Sequence, residues 1–148
     1  MIVADTNLIA YLVLPGERTE ESESVLMKDS DWVVPVLWSS ELRSVVGSYI
    51  RSGHLTLAQA CGAMERAVAL VGGREAPVDS REVLTLANRS GCSTYDCEYV
   101  ALAIALGVVL VTSDKAVLRA FPGVAINPGK FLEQGSVPVT PLANSDRT

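Results

Sequence analysis

The fold is decided by the stretch from Tyr95 to Asp114, which reads YDCEYVALAIALGVVLVTSD. Its first part belongs to a predicted helix, Ser93–Leu106, that is apolar nearly all round and is therefore expected to be buried. Gly107 ends this helix. The continuous apolar run Val108–Thr112 then predicts a strand of the kind found in a parallel sheet that is covered on both faces. A buried helix that leads into a buried strand indicates an α/β fold.

The same alternation of strands and helices extends outward through the chain. Further strands are predicted at Ile2–Asp5, Trp32–Val34 and Val124–Ile126, and another is closed by Pro77-Val78. Further helices are predicted at Thr6–Leu14, Thr19–Lys28, Trp38–Ser52, Leu57–Val71, Asp79–Arg89, Lys115–Ala120 and Pro128–Gln134. This order predicts a three-layer α/β/α sandwich around a five-stranded, mainly parallel sheet.

Length and composition fit one globular domain. The chain has 148 residues, of which 49% are hydrophobic and 20% are charged. We expect the domain to occupy residues 1–133 and to be followed by a loose tail, residues 134–148.

The cysteines and the apolar segments indicate the cellular compartment of the protein. The three cysteines are odd in number and form no CxxC pair, which favours neither a disulfide framework nor a thiolate zinc site. Met1 leads into an apolar strand without a basic segment. The longest apolar stretch, Tyr99–Val111, is too short to span a membrane. We therefore expect a cytoplasmic protein with reduced, mostly packed cysteines, without a signal peptide or a membrane span.

The net charge of −5 argues against a nucleic-acid partner, because phosphates favour a basic surface. The acidic residues are concentrated, however. Six acidic and only two basic residues lie between Glu17 and Asp31, so the rest of the chain is near neutral. A bound divalent cation would add positive charge where a phosphate approaches, and a nucleic-acid substrate therefore stays compatible with the composition.

Four acidic residues fall where a predicted strand ends or a predicted helix begins. Asp5 and Asp114 follow strands, and a helix N-cap would explain each of them. Glu41 and Asp96 lie in the first turns of helices. A favourable charge at the helix dipole would explain Glu41, and a capping box that starts at Ser93 would explain Asp96. As a set they indicate a site, because sites in open parallel sheets form beyond the carboxyl ends of the strands.

These four carboxylates converge in one crevice if the first strand and Val108–Thr112 are neighbours in the sheet. Two charges roughly 4 Å apart repel by ~4 kcal/mol at an effective dielectric near 20, so the cluster needs a divalent cation or bound protons. Oxygen-only ligands suit Mg²⁺ or Mn²⁺. Such ions polarise phosphoryl oxygens and generate hydroxide. The set therefore predicts metal-dependent hydrolysis of a phosphodiester.

Other phosphate chemistries find no support in the sequence. A metal-free ribonuclease commonly needs two groups that titrate near neutral pH. The single histidine, His54, follows Gly53 in a turn between helices and is predicted to lie at the surface. The chain contains no G-x-x-x-x-G-K-[ST] segment and no G-x-G-x-x-G segment after a strand. No Ser or Cys is adjacent to the histidine.

Four segments resemble the motifs of the PIN domain family, in order and at similar spacing. They are Val3–Asn7, Ser40–Leu42, Tyr95–Ala103 and Leu110–Asp114. The short single-domain form is similar to the VapC-like toxins of bacterial and archaeal toxin–antitoxin pairs. The resemblance covers about residues 1–133 and implies the sheet order 3-2-1-4-5, with Asp5 and Asp114 on adjacent strands.

The resemblance also implies an endoribonuclease that depends on Mg²⁺ or Mn²⁺. Asp5 and Asp96 would be the principal metal ligands. Asp114, as a further ligand, and Glu41 would complete the acidic pocket, directly or through water. A homodimer and a cognate antitoxin whose tail covers the pocket are further implications. The acidic run Glu17–Asp31 would then meet a basic partner segment, or it is simply a solvated helix face.

Neighbouring polar residues receive supporting roles from the same resemblance. Asn7 and Thr112 would orient ligands and water, although a helix-start residue and an ordinary strand residue are open alternatives. Arg43 and Lys115 flank the motifs, where they would hold phosphates or act only as surface cations.

Two other functions stay open. A phosphoacceptor signalling domain also uses acids at strand ends, Mg²⁺ and a lysine such as Lys115. It needs paired acids after the first strand, however, and Asp5 has no acidic neighbour. A PIN fold used only as a binding module would have the same architecture, but the presence of all four acids disfavours it.

Overall fold

Five parallel strands form one sheet in the computed structural model, which describes residues 1–135. The strand order is β3-β2-β1-β4-β5, as the resemblance to the PIN domain family implies. The strands are β1 (Ile2–Ala4), β2 (Trp32–Pro35), β3 (Glu75–Ala76), β4 (Leu110–Val111) and β5 (Ala125–Ile126). In this order β1 lies at the centre, with Val3 paired to Val33 on one side and Ala4 paired to Val111 on the other.

The predicted helices are all present within the described residues, with ends that shift by at most one position. They are α1 (Thr6–Val13), α2 (Thr19–Lys28), α3 (Trp38–Arg51), α4 (Leu57–Val71), α5 (Ser80–Ser90), α6 (Thr94–Leu106), α7 (Lys115–Ala120) and α8 (Pro128–Glu133). Residues 136–148, which make up most of the predicted loose tail, lie outside the described residues.

Two strand predictions need a correction, whereas each of the other three strands differs from its prediction by one residue at one end. The third strand is Glu75–Ala76 and ends before Pro77, because proline has no amide hydrogen for the strand ladder. The strand predicted at Val108–Thr112 contains only Leu110 and Val111. Thr112 has left the strand, although its amide still donates to the carbonyl of Ile126 at 3.0 Å.

The sheet separates two apolar layers, because successive side chains of a strand point to opposite faces. Ile2 and Ala4 of β1 pack in one buried cluster with residues of α1, α3 and α4, while Val3 packs in the other cluster with residues of α5 and α6. The three-layer α/β/α sandwich is therefore confirmed.

Helix α6 is buried in its middle part and exposed at both ends. Its residues from Tyr99 to Ala103 are buried, whereas Ile104 and Leu106 are 42% and 40% exposed. A helix of 13 residues is about 20 Å long, which exceeds the short strands that it covers. The prediction of a wholly buried helix was wrong at both ends.

The cysteine prediction also needs a correction. All three cysteines are free, and Cys97 is buried, but Cys61 is exposed on α4 and Cys92 is half-buried. Among residues 1–135, no helix is both long enough and apolar enough to cross a bilayer.

Candidate active site

The four predicted site residues line one cavity of about 210 Å³ at the carboxyl edge of the sheet. Its lining consists of Asp5, Thr6, Asn7, Glu41, Ser44, Val45, Asp96 and Asp114. Asp5 directly follows β1, and Asp114 comes three residues after β4, the strand beside it. Glu41 and Asp96 enter from the first turns of α3 and α6. The convergence predicted from the sequence is thus present.

Thr112 links the two strand-end acids through its hydroxyl. This buried residue donates from Oγ1 to Asp5 Oδ2 at 2.7 Å, and the same oxygen accepts the amide hydrogen of Asp114 at 3.1 Å. One hydroxyl therefore orients the carboxylate of Asp5 and fixes the backbone at Asp114.

The capping explanation holds for one strand-end acid and fails for the other. Asp114 Oδ1 accepts the amides of Ala116 and Val117, at 2.9 and 3.0 Å, and so caps α7. Asp5 occupies the N-cap position of α1, but its side chain makes no capping bond. The carboxylate of Asp5 thus has no structural role in the helix that it precedes.

The acids at the helix starts differ in a similar way. Ser93 caps α6 by accepting the Asp96 amide at 3.0 Å, so the cap engages the backbone of Asp96 and leaves its carboxylate for the cavity. Glu41 Oε1 is buried and has no hydrogen-bond partner within residues 1–135. A buried acceptor without a partner carries the full penalty of its lost hydration.

Two buried hydroxyls lie beside Glu41 and were not predicted as site residues. Thr6 Oγ1 and Tyr99 OH share a hydrogen bond behind the cavity. Burial raises the pKa of Tyr99, so its hydroxyl stays neutral. The sequence carried a signal for Tyr99, because it lies three residues after Asp96 and therefore on the same face of α6.

Burial raises the pKa of three of the four acids. The pKa of Asp5 rises to about 6, mainly through burial, with a further contribution from the charges of Glu41 and Asp96 and opposition from the Thr112 hydroxyl. Burial likewise raises the pKa of Glu41, and the charge of Asp96 raises it further. The pKa of Asp96 rises through burial and through the charge of Asp114.

No protein cation forms an ion pair with these acids in the described part of the chain. The ion pairs there are Met1–Asp29, Arg18–Glu21 and Arg74–Asp31. The predicted phosphate contacts Arg43 and Lys115 are exposed and do not line the cavity. Arg43 donates to Ser40 at 3.1 Å. His54 is exposed as predicted.

The oxygen donors of the cavity fit a hard divalent cation. All four acids supply carboxylate oxygens, which Mg²⁺ and Mn²⁺ prefer, and among these oxygens Glu41 Oε1 is buried without a partner in the described residues. Within residues 1–135 no three acidic, histidine or cysteine side chains are gathered tightly enough to hold one ion. These carboxylates would therefore have to move closer together to share one ion.

Known proteins resemble this chain in sequence. Residues 2–123 match the model of the family described as PIN domain. The chain is 29% identical over 127 residues to Ribonuclease VapC3 of Pyrobaculum aerophilum, an alignment that covers 83% of this chain and 96% of that protein.

Solved structures resemble the fold as well. PAE2754 from Pyrobaculum aerophilum superimposes with a TM-score of 0.71 and 20% identity, over 89% of this chain and 86% of that one. FitAcB from Neisseria gonorrhoeae superimposes with a TM-score of 0.66 and 22% identity, over 87% of this chain and 99% of that one.

Proposed function

Because this chain belongs to the PIN domain family, we propose that it is a metal-dependent endoribonuclease that hydrolyses RNA phosphodiester bonds. The proposal depends above all on one feature, a cavity lined by four carboxylates with which no cation of the described chain forms an ion pair. Such a cluster is destabilising unless a bound cation or protons relieve it. The similarity to a protein named as a ribonuclease gives the substrate class.

Asp5, Asp96 and Asp114 are the residues that we propose would hold Mg²⁺ or Mn²⁺. When bound at carboxylates, such an ion polarises a phosphoryl oxygen and makes water more acidic. Thr112 holds Oδ2 of Asp5 at 2.7 Å and so presets its orientation. Asn7, which lines the cavity and is exposed, would orient water or the substrate.

Glu41 is proposed as the group that accepts a proton. Glu41 lines the cavity, where its carboxylate would accept a hydrogen bond from an attacking water. Burial raises the pKa of Glu41, which brings it closer to the value at which a general base works well. Lys115, which follows Asp114, and Arg43 stay proposed contacts for more distant phosphates.

The biological role that we propose is that of the toxin in a VapBC-type toxin–antitoxin pair. The supporting observation is the similarity to Ribonuclease VapC3 across 96% of that protein's length. A cognate antitoxin that covers the cavity and a homodimeric state form part of this proposal. Expression of the chain alone is then expected to arrest growth, and co-expression of a small protein encoded beside it is expected to restore growth.

A cleavage assay on a fluorescent single-stranded RNA tests the enzymatic proposal. Cleavage is expected with Mg²⁺ or Mn²⁺, and it is expected to stop when excess chelator is added. Asp5→Asn and Asp96→Asn are expected to remove cleavage while the far-UV circular dichroism spectrum stays unchanged. A matched control is Asp79→Asn, because Asp79 caps α5 outside the cavity and asparagine also caps helices well. Undiminished cleavage in chelator, or in both cavity variants, would contradict the proposal.

A further inference from the structure

Arg18, which immediately precedes α2, reaches from the α1–α2 connection to the loop that carries Asp114. Its Nη2 donates to Ser113 Oγ at 2.7 Å, across 95 positions of sequence. Ser113 lies between Thr112, whose hydroxyl holds Asp5, and Asp114, whose carboxylate lines the cavity. The guanidinium therefore contacts a side chain of the segment, Thr112 to Asp114, that supplies two parts of the site.

Two further contacts hold the guanidinium of Arg18 in place. It lies over the ring of Tyr11, with its central carbon 4.5 Å from the ring centroid, and Nη1 donates to the Tyr11 hydroxyl at 3.2 Å. Nη2 also pairs with Glu21 Oε1 at 2.6 Å. A planar guanidinium can serve several acceptors at once, so Tyr11 and Glu21 aim one donor at Ser113.

We propose that Arg18 is a positioning residue, which fixes the loop of Ser113 and thereby the carboxylate of Asp114. The inference rests on the proposed function of the cavity as a metal-dependent nuclease site. Asp114 Oδ1 is committed to the amides of Ala116 and Val117, so the orientation of this carboxylate depends on how the loop is held. Arg18 holds that loop from the outside, while Thr112 holds it from within.

A direct contact of Arg18 with RNA is the competing role. A second cavity, of about 390 Å³, is lined by Tyr11 and Arg18 and shares Asn7 and Val45 with the acidic cavity. The structure favours the positioning role, because the charge of Arg18 is already paired with Glu21 and its donors are aimed at Ser113 and Tyr11.

A double-mutant cycle separates the two roles. If Arg18 acts through Ser113, then Arg18→Ala, Ser113→Ala and the double variant are each expected to lower kcat by about 10-fold with little change in KM, since outer-shell partners of metal sites typically have effects of this size. Residues that act through one contact give effects that do not add. If Arg18 instead contacts a phosphate directly, Arg18→Ala would raise KM and Ser113→Ala would not. The losses of the two single variants would then add in the double variant, and this result would overturn the proposal.

Amide hydrogen exchange gives a readout that needs neither RNA nor metal. In Arg18→Ala, the amides of Ala116 and Val117 are expected to exchange about 10-fold faster than in the wild type, because the cap at Asp114 is less well held. Arg18→Lys keeps the charge but lacks the planar fork, and it is expected to recover part of the protection. Unchanged exchange in Arg18→Ala would overturn the proposal.

The matched control is Arg74→Ala, because Arg74 forms an exposed ion pair with Asp31 and does not line the acidic cavity. It is expected to leave both amides and the affinity for Mn²⁺ unchanged, whereas Arg18→Ala is expected to weaken Mn²⁺ binding by about 10-fold. If the wild type binds no metal and cuts no RNA, the proposed function fails, and the exchange measurement still decides whether Arg18 fixes the loop.

Discussion

Two groups of acidic residues in this molecule lie in opposite electrostatic surroundings. In the surface run Glu17–Asp31, several acids have a cation beside them. The pairs are Arg18–Glu21, Met1–Asp29 and Arg74–Asp31. In the cavity, Asp5, Glu41 and Asp96 have raised pKa values, and none forms an ion pair with a cation of the described residues.

The difference separates acids that serve solubility from acids that serve a site. A surface carboxylate keeps its hydration, so its charge costs little. A buried carboxylate without a counter-charge destabilises the fold, and such groups concentrate at functional sites. The composition of the chain does not distinguish the two regions, since both consist of Asp and Glu. The two regions are distinguished by the burial of their acids and by the positions of nearby cations.

The largest difference is expected from an isosteric change at Glu41. Glu41→Gln keeps the volume of the side chain but removes the proton acceptor, and loss of a general base typically lowers a rate by about 100-fold or more. Its control in the surface run is Glu23→Gln, which removes one exposed charge. Single-turnover cleavage rates under saturating Mg²⁺ measure both. Equal rates for the two variants would show that the cavity acids are no different from surface acids.

A smaller effect is expected on stability, with a dependence on pH. The pKa of Asp5 is about 6 in the folded protein against 3.8 without the fold. Between about pH 4 and pH 6, Asp5 is therefore protonated in the folded state and ionised in the unfolded state. The free energy of unfolding of the metal-free protein consequently falls as the pH rises through this range. One pKa unit corresponds to ~1.4 kcal/mol, so the loss at pH 8 is about 3 kcal/mol.

Asp5→Asn sharpens this comparison because it removes the buried charge. In chelator at pH 8 the variant is expected to be more stable than the wild type by up to about 3 kcal/mol, and the advantage is expected to vanish at pH 4. Urea unfolding at both pH values measures the difference. A variant that is less stable than the wild type at pH 8 would mean that the carboxylate of Asp5 is already neutralised by the fold.

The smallest effect is expected in the surface run. Asp31→Asn breaks an exposed ion pair with Arg74, and such pairs contribute less than about 1 kcal/mol. We expect this variant to unfold within that range of the wild type and to cleave RNA at the same rate. A decrease in the free energy of unfolding well above this range would mean that the surface run stabilises the fold, which its exposure does not suggest.

Local sequence patterns predicted which strand ends and helix starts carry the four acids. That β1 and β4 lie side by side and bring Asp5 and Asp114 together was implied only by the resemblance to the PIN domain family. The cap at Asp114 followed from its position before α7. The positions of the acids and this cap need only the order of elements and their periodicity.

The parts that depend on contacts between distant residues could not be predicted in this way. The bond from Arg18 to Ser113 joins residues 95 positions apart, and the bond between Thr6 and Tyr99 joins residues 93 positions apart. The exposed last turn of α6 depends on how far the short strands extend beneath it. Such features are set by tertiary packing, which overrides local pattern.

Anomalous diffraction from a crystal soaked in Mn²⁺ tests the contrast between the two acidic regions most directly. We predict a strong peak in the acidic cavity, in contact with oxygens of Asp5, Asp96 and Asp114, and no comparable peak along the run Glu17–Asp31. A peak only at the surface run, or none in the cavity at saturating Mn²⁺ and pH 8, would contradict the account.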